Sequence, residues 1–121
     1  MQFYLNEFTN TQSLRNAVRR IGYCGGNTNT TGGLRLARTE IFNAANGDRS
    51  GVPNALVLIT DGNPTREVNM LDEEVRHIKR LGVRIVGVGV TNRVNEFVSS
   101  PIILGWLIIR YSARPTLCNI L

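Results

Sequence analysis

Ala55-Leu56-Val57-Leu58-Ile59-Thr60 is an unbroken apolar run of strand length, cut off by Asp61-Gly62-Asn63-Pro64, and it constrains the fold more than any other stretch of the chain. Continuous rather than alternating hydrophobicity is the pattern of a central parallel strand covered on both faces. Behind it Leu71, Val75 and Ile78 recur at i, i+4 and i+7, which predicts a helix ending at Leu81-Gly82. Residues 83–90, Val-Arg-Ile-Val-Gly-Val-Gly-Val, then read as a second buried strand. Strand, helix and strand in that order make a βαβ unit, with parallel strands and a right-handed crossover. The fold class is therefore α/β. Ligands of such sheets bind in the crevice beyond the carboxyl ends of the strands, and Asp61 stands at that end.

Upstream, Phe3-Tyr4-Leu5-Asn6-Glu7-Phe8 has partial alternation and runs into Thr9-Asn10-Thr11, so it reads as a short strand followed by a turn. Leu14, Ala17, Val18 and Ile21 form the stripe of an amphipathic helix. Thr9 with Gln12 has capping-box spacing for it, and Thr11 or Ser13 can equally serve as the cap. Residues 22–33 hold Gly22, Gly25, Gly26, Gly32 and Gly33 interleaved with Asn27-Thr28-Asn29-Thr30-Thr31, a loop that leads into a helix N-terminus capped by a hydroxyl. Leu34, Ala37, Ile41 and Ala44 form the buried face of that helix, and Asn46-Gly47-Asp48 stops it near a glycine. The segment 96–121 departs in character. Its run Pro101-Ile102-Ile103-Leu104-Gly105-Trp106-Leu107-Ile108-Ile109 follows neither the helical nor the alternating period.

Length and composition exclude several classes of function. With 121 residues, 42% hydrophobic and 19% charged, the chain suits one ordinary folded core and neither a disordered nor a fibrous polymer. No apolar stretch reaches the ~18–20 residues of a membrane-spanning helix, and the first residues carry no basic, apolar export signal. Cys24 and Cys118 are too few for a disulfide scaffold, and either a Cys24–Cys118 bridge or two thiols fits the sequence. The net charge of +5 favours acidic partners. Its carriers are scattered, as on a solvated surface, although Arg15, Arg19 and Arg20 on one helix can meet a sulfated glycan. No nucleic-acid motif accompanies them. The lone lysine, Lys79, is placed mid-helix and excludes a P-loop, while Gly87-Val88-Gly89 lies within a strand and is no dinucleotide fingerprint. His77 is placed on the polar side of its helix, facing solvent.

Two loops carry candidate chemistry: the Gly25-Gly26-Asn27-Thr28-Asn29-Thr30-Thr31-Gly32-Gly33 segment and Thr60-Asp61-Gly62. A hydroxyl and a carboxylate meeting at strand ends suit a hard divalent cation, which takes oxygen ligands and retains water that a partner can displace. The bland alternative is that Thr28 caps a helix and Asp61 begins a turn. In these loops and their order between the strands, residues 3–94 resemble the von Willebrand factor A (VWA) domain, the I domain of integrins. The resemblance is closest to the extracellular-matrix branch, similar to matrilins and non-fibrillar collagens. It implies a doubly wound, Rossmann-like, mostly parallel sheet flanked by helices, with residues 1–95 a partial domain and 96–121 an atypical apolar tail. It also implies a non-catalytic, secreted adhesion module that binds protein ligands such as collagen through a metal-ion-dependent adhesion site (MIDAS).

By that resemblance Thr28 and Asp61 are the metal ligands, Mg²⁺ or Mn²⁺ is the cofactor, and Asn27, Gly62 and Asn63 line the rim that meets the partner. The Asp-x-Ser-x-Ser segment that supplies further ligands in the family is absent, and the chain begins where the family's third strand is expected. A truncated scaffold without independent activity is thus one alternative. A metal-dependent phosphotransfer or hydrolase enzyme using Asp61 is another, and it lacks a second carboxylate, a Ser-His pair or a phosphate-binding lysine beside that residue. Asn29-Thr30-Thr31 fits a glycosylation sequon, but a glycan there obstructs the proposed site.

Overall fold

The computed structural model describes residues 1–61 and 63–90, together with the backbone of residues 106–108. The elements in chain order are α1 (Thr11–Arg19), α2 (Thr30–Leu36), β1 (Ala55–Thr60), α3 (Leu71–Arg80), β2 (Arg84–Gly89) and β3 (Trp106–Ile108). All strand pairs are parallel in the order β1-β2-β3, and Leu56 stands opposite Ile85 and Thr60 opposite Gly89. The βαβ unit is thus present, with α3 as its crossover. Apart from β3, the segment 96–121 lies outside the described residues.

One apolar cluster holds the layers together. Leu56 and Leu58 of β1 and Ile85 of β2 face Leu34 and Ala37 at the α2 end and Val75 and Ile78 of α3, with Val83 closing the cluster and Phe42 and Leu71 on its flank. Because β1 and β2 are in register, their inward residues form one continuous surface, and both helices cover it. The opposite face is bare among the described residues: Val57 and Ile59 are 55% and 43% exposed. The apolar run of β1 therefore corrects the expectation of a strand covered on both faces. The remaining helix, α1, buries no residue, and its Leu14 and Val18 are 40% and 43% exposed.

Segment ends differ from the sequence reading for identifiable reasons. The residues 3–8 form no strand. Leu5 N–H donates to the Asn46 carbonyl (3.1 Å) and Asn6 Nδ2 to the Ala45 carbonyl (3.3 Å), so the chain docks on the short 3₁₀ turn Ala44–Asn46. Gly47 permits the docking: its φ is +97°, and a Cβ there would stand 2.6 Å from the Asn6 nitrogen. The cap of α1 is Asn10, whose Oδ1 accepts the Ser13 N–H (2.9 Å), while Gln12 donates to Asn16 instead. α2 continues into a wider π-type turn, Ala37–Ile41, so Ile41 is only half-buried and Ala44 is exposed. His77, expected in solvent, is half-buried, with Nδ1 enclosed and without a hydrogen-bond partner among the described residues, because it flanks the buried Glu74–Ile78 side of α3.

Ile78 and Ile85 are fully enclosed between helix and sheet. Ile78→Ala or Ile85→Ala is expected to lower unfolding stability by about 2–5 kcal/mol in denaturant titration. Val57→Ala, on the bare face, is expected to change it by about 0.5 kcal/mol or less.

Candidate functional site

Thr60 is buried, and its carbonyl accepts the Val90 N–H (2.9 Å), which carries the β1–β2 pairing one residue past the end of β2. Asp61 follows as a half-buried residue at the carboxyl end of the sheet. From there the chain passes Asn63 and Pro64 to the 3₁₀ turn Val68–Met70 and into α3. The second loop, residues 22–29, leads into α2.

Thr65 joins the two loops. Its N–H donates to the Thr28 carbonyl (2.9 Å), as does the Arg66 N–H (3.3 Å), and the Thr65 hydroxyl accepts the Thr28 N–H (3.0 Å). All these bonds use the Thr28 backbone and none uses its hydroxyl. One residue further on, Asn29 Oδ1 accepts the Gly32 N–H (2.8 Å) and caps α2, so the cap is an amide rather than the expected hydroxyl. Thr31, fully buried, donates its hydroxyl to the Glu67 carbonyl (2.9 Å). Both Asn29 and Thr31 of the sequon are therefore engaged in the fold.

A line of alternating charge runs behind the loops. Glu67 Oε2 accepts from Arg35 Nη2 (2.8 Å), and Glu67 Oε1 from Asn29 Nδ2 (3.3 Å). Arg35 Nε lies 3.7 Å from Glu74 Oε2, and Arg38 makes a short hydrogen bond to the other oxygen of Glu74. Glu74 is buried on α3, and the two guanidiniums from the α2 side compensate its charge. The hydrogen bonds from Arg35 and then Asn29 hold the Glu67 carboxyl below the usual glutamate range, and the bond to Glu74 raises Arg38 further.

Of the expected site residues, Thr28 and Asp61 are half-buried in the two joined loops, Asn27 and Asn63 are exposed beside them, and Gly62 lies outside the described residues. Arg15, Arg19 and Arg20 are exposed along α1 and its end. The Cys24 sulfur is 3.6 Å from the Gly22 carbonyl, and the proposed bridge to Cys118 lies outside the described residues. A cleft of about 610 Å³ adjoins the loops and is lined in part by Asn27, Asn29, Arg35 and Glu67, but by neither Thr28 nor Asp61. Among the described residues no three His, Cys, Asp or Glu side chains come together. Thr28 and Asp61 carry oxygen donors of the type a hard divalent cation takes. The sequence reading missed Thr65, Glu67 and the Glu74–Arg38 pair. Only Glu74 had a signal, as an acid three residues after Leu71 and beside Val75 on the buried stripe.

A parallel α/β sheet with paired polar loops at its carboxyl end defines a binding domain of the open-sheet class. The chain belongs to the von Willebrand factor type A domain family, whose pattern matches residues 1–100. It is 32% identical over 97 residues to cochlin of Mus musculus, covering 79% of this chain and 17% of that protein. It is 32% identical over 105 residues to matrilin-1 of Gallus gallus, covering 84% and 21%, and 36% identical over 91 residues to integrin alpha-1 of Gallus gallus, covering 71% and 32%. The chain thus spans a third or less of these curated relatives. Among solved structures, proximal thread matrix protein 1 from the mussel byssus shares the fold. In one crystal form it matches with TM-score 0.70 at 23% identity over 76% of this chain and 24% of that one, and in a second form with 0.74 at 21% over 87% and 28%. By this kinship the doubly wound α/β fold class holds, and among the described residues helices cover one face of its sheet.

Since the Glu67 pKa is lowered by folding, its contribution to stability is present above the unfolded-state value and is lost as pH falls through the folded-state value. Glu67→Gln is therefore expected to be less stable than wild type near neutral pH. The difference should shrink in acid, as measured by denaturant titration across the carboxylate range.

Proposed function

We propose that the chain is a non-catalytic adhesion and protein-binding module of an extracellular-matrix-type protein. The hydroxyl of Thr28 and the carboxylate of Asp61 hold Mg²⁺ or Mn²⁺, and Asn27, Gly62 and Asn63 form the rim against the partner. A cation held there would supply a Lewis-acid centre for an acidic side chain of a protein ligand such as collagen. The net charge of +5 favours the approach of that acidic group. Arg15, Arg19 and Arg20 offer a second contact, to sulfated glycans.

The observation that carries this reading is the Thr65 bridge, which ties the backbone of Thr28 to the loop that Asp61 opens. Kinship with cochlin, matrilin-1 and integrin alpha-1 supports a binding role outside the cell over an enzymatic one. Calorimetric titration of the folded chain with Mg²⁺ and with Mn²⁺ tests it. Saturable binding that Asp61→Ala abolishes is the expected result. A folded wild-type chain that binds neither ion would contradict the metal-dependent mechanism.

A further inference from the structure

Glu67 is the only non-glycine among the described residues with a positive φ, at φ 50° and ψ 33°. The left-handed region is sterically unfavourable for a side chain of this kind, and such a residue persists where its surroundings over-determine it. Four bonds do so here. The Glu67 carbonyl accepts from the Thr31 hydroxyl (2.9 Å) and from the Met70 N–H (3.0 Å), and its carboxylate accepts from Asn29 (3.3 Å) and Arg35 (2.8 Å). Three of the four donors lie within residues 29–35, so Glu67 fastens the loop after β1 to the first turns of α2, beside the bonds that Thr65 and Arg66 make to Thr28. Asn29 directly follows Thr28 in the chain, and Thr65, which holds the Thr28 backbone, lies two residues before Glu67. Both oxygens of the carboxylate are occupied by protein donors, which suits a fastening role rather than that of a cation ligand.

We propose that Glu67 is a positioning residue whose side chain fixes the spacing between the Thr28 loop and the Asp61 loop, and with it the fit of that pair to a cation. The proposal rests on the reading of Thr28 and Asp61 as the cation site. The groups around its carboxylate are Arg35 and Asn29 from the α2 side and Arg66 from its own loop, with Glu74 of α3 sharing Arg35. Glu67→Gln keeps the shape and removes the charge. Glu67→Gly keeps the backbone twist without strain and removes the side chain. Arg35→Met removes the cationic partner.

Amide hydrogen exchange of the full chain without added metal, read by NMR, separates these contributions. All three variants are expected to speed exchange at Thr28 and Thr65 by about tenfold, and by clearly more than they speed the strand amides of β2, which follow the modest loss of global stability. Wild-type protection in Glu67→Gly would show that the backbone twist suffices and would overturn the proposal. Equal acceleration of all amides, the mark of a generally weaker fold, would also overturn it. Calorimetry with Mn²⁺ on the same proteins is expected to show a comparable loss of affinity in Glu67→Gln, and unchanged affinity in that variant would overturn the positioning role. A wild-type chain that binds no Mn²⁺ would contradict the cation reading alone, since the exchange comparison decides the fastening without metal.

Discussion

The parallel pairing of β1 with β2 is the constraint from which the remaining arrangement follows. Two consecutive parallel strands cannot be joined by a tight turn, so the chain must cross back through α3, and the carboxyl ends of both strands then lie at one end of the sheet. With Leu56 opposite Ile85, the inward side chains of the two strands make one apolar surface, and α3 lies on it through Val75 and Ile78. α2 shares that surface through Leu34, so its N-terminus is held near the loop that leaves β1. The packing of this core thus places the two loops side by side.

Polar contacts then fix what the core brings close. The carbonyl of Thr28 takes two backbone donors from Thr65 and Arg66, and the Asn29 side chain both caps α2 and reaches Glu67. These groups sit at the edge of the cluster, where an unpaired backbone polar group is costly, so the fold favours their mutual satisfaction. Behind them, buried Glu74 is tolerated because Arg38 and Arg35 approach it from the other helix. Removing either guanidinium leaves a carboxylate with less compensation in a place where water reaches it poorly. The outcome is a hydrogen-bonded and charge-paired base under the two loops.

Much of this was legible in the sequence where periodicity and length agree. The apolar run 55–60, the stripe Leu71, Val75 and Ile78, and the stop at Gly82 define the βαβ unit because each has one physical solution. An apolar run does not say which of its faces is covered, so Val57 and Ile59 were read as buried when they face outward. The cap of α1 was ambiguous because Thr9, Asn10, Thr11 and Ser13 all carry competent acceptors within a few residues. Partial alternation in residues 3–8 suits a strand and a docked turn alike, and only the 3₁₀ turn far along the chain decides between them. Their motifs singled out Thr28 and Asp61 as candidates. Thr65 and Glu67 were not singled out, because their bonds join loops more than thirty residues apart and leave no periodic trace.

Metal-dependent binding by this domain requires that a cation sit at the joined Thr28 and Asp61 loops. Paramagnetic broadening by Mn²⁺ in an amide-resolved NMR spectrum of the folded chain tests this most directly, since the effect falls steeply with distance from the ion. Broadening that begins at Thr28, Asp61 and Thr65 at substoichiometric Mn²⁺ is the predicted result. Broadening that begins instead at Asp72 and Glu73, the exposed acids in the first turn of α3, would place the ion elsewhere and contradict the account.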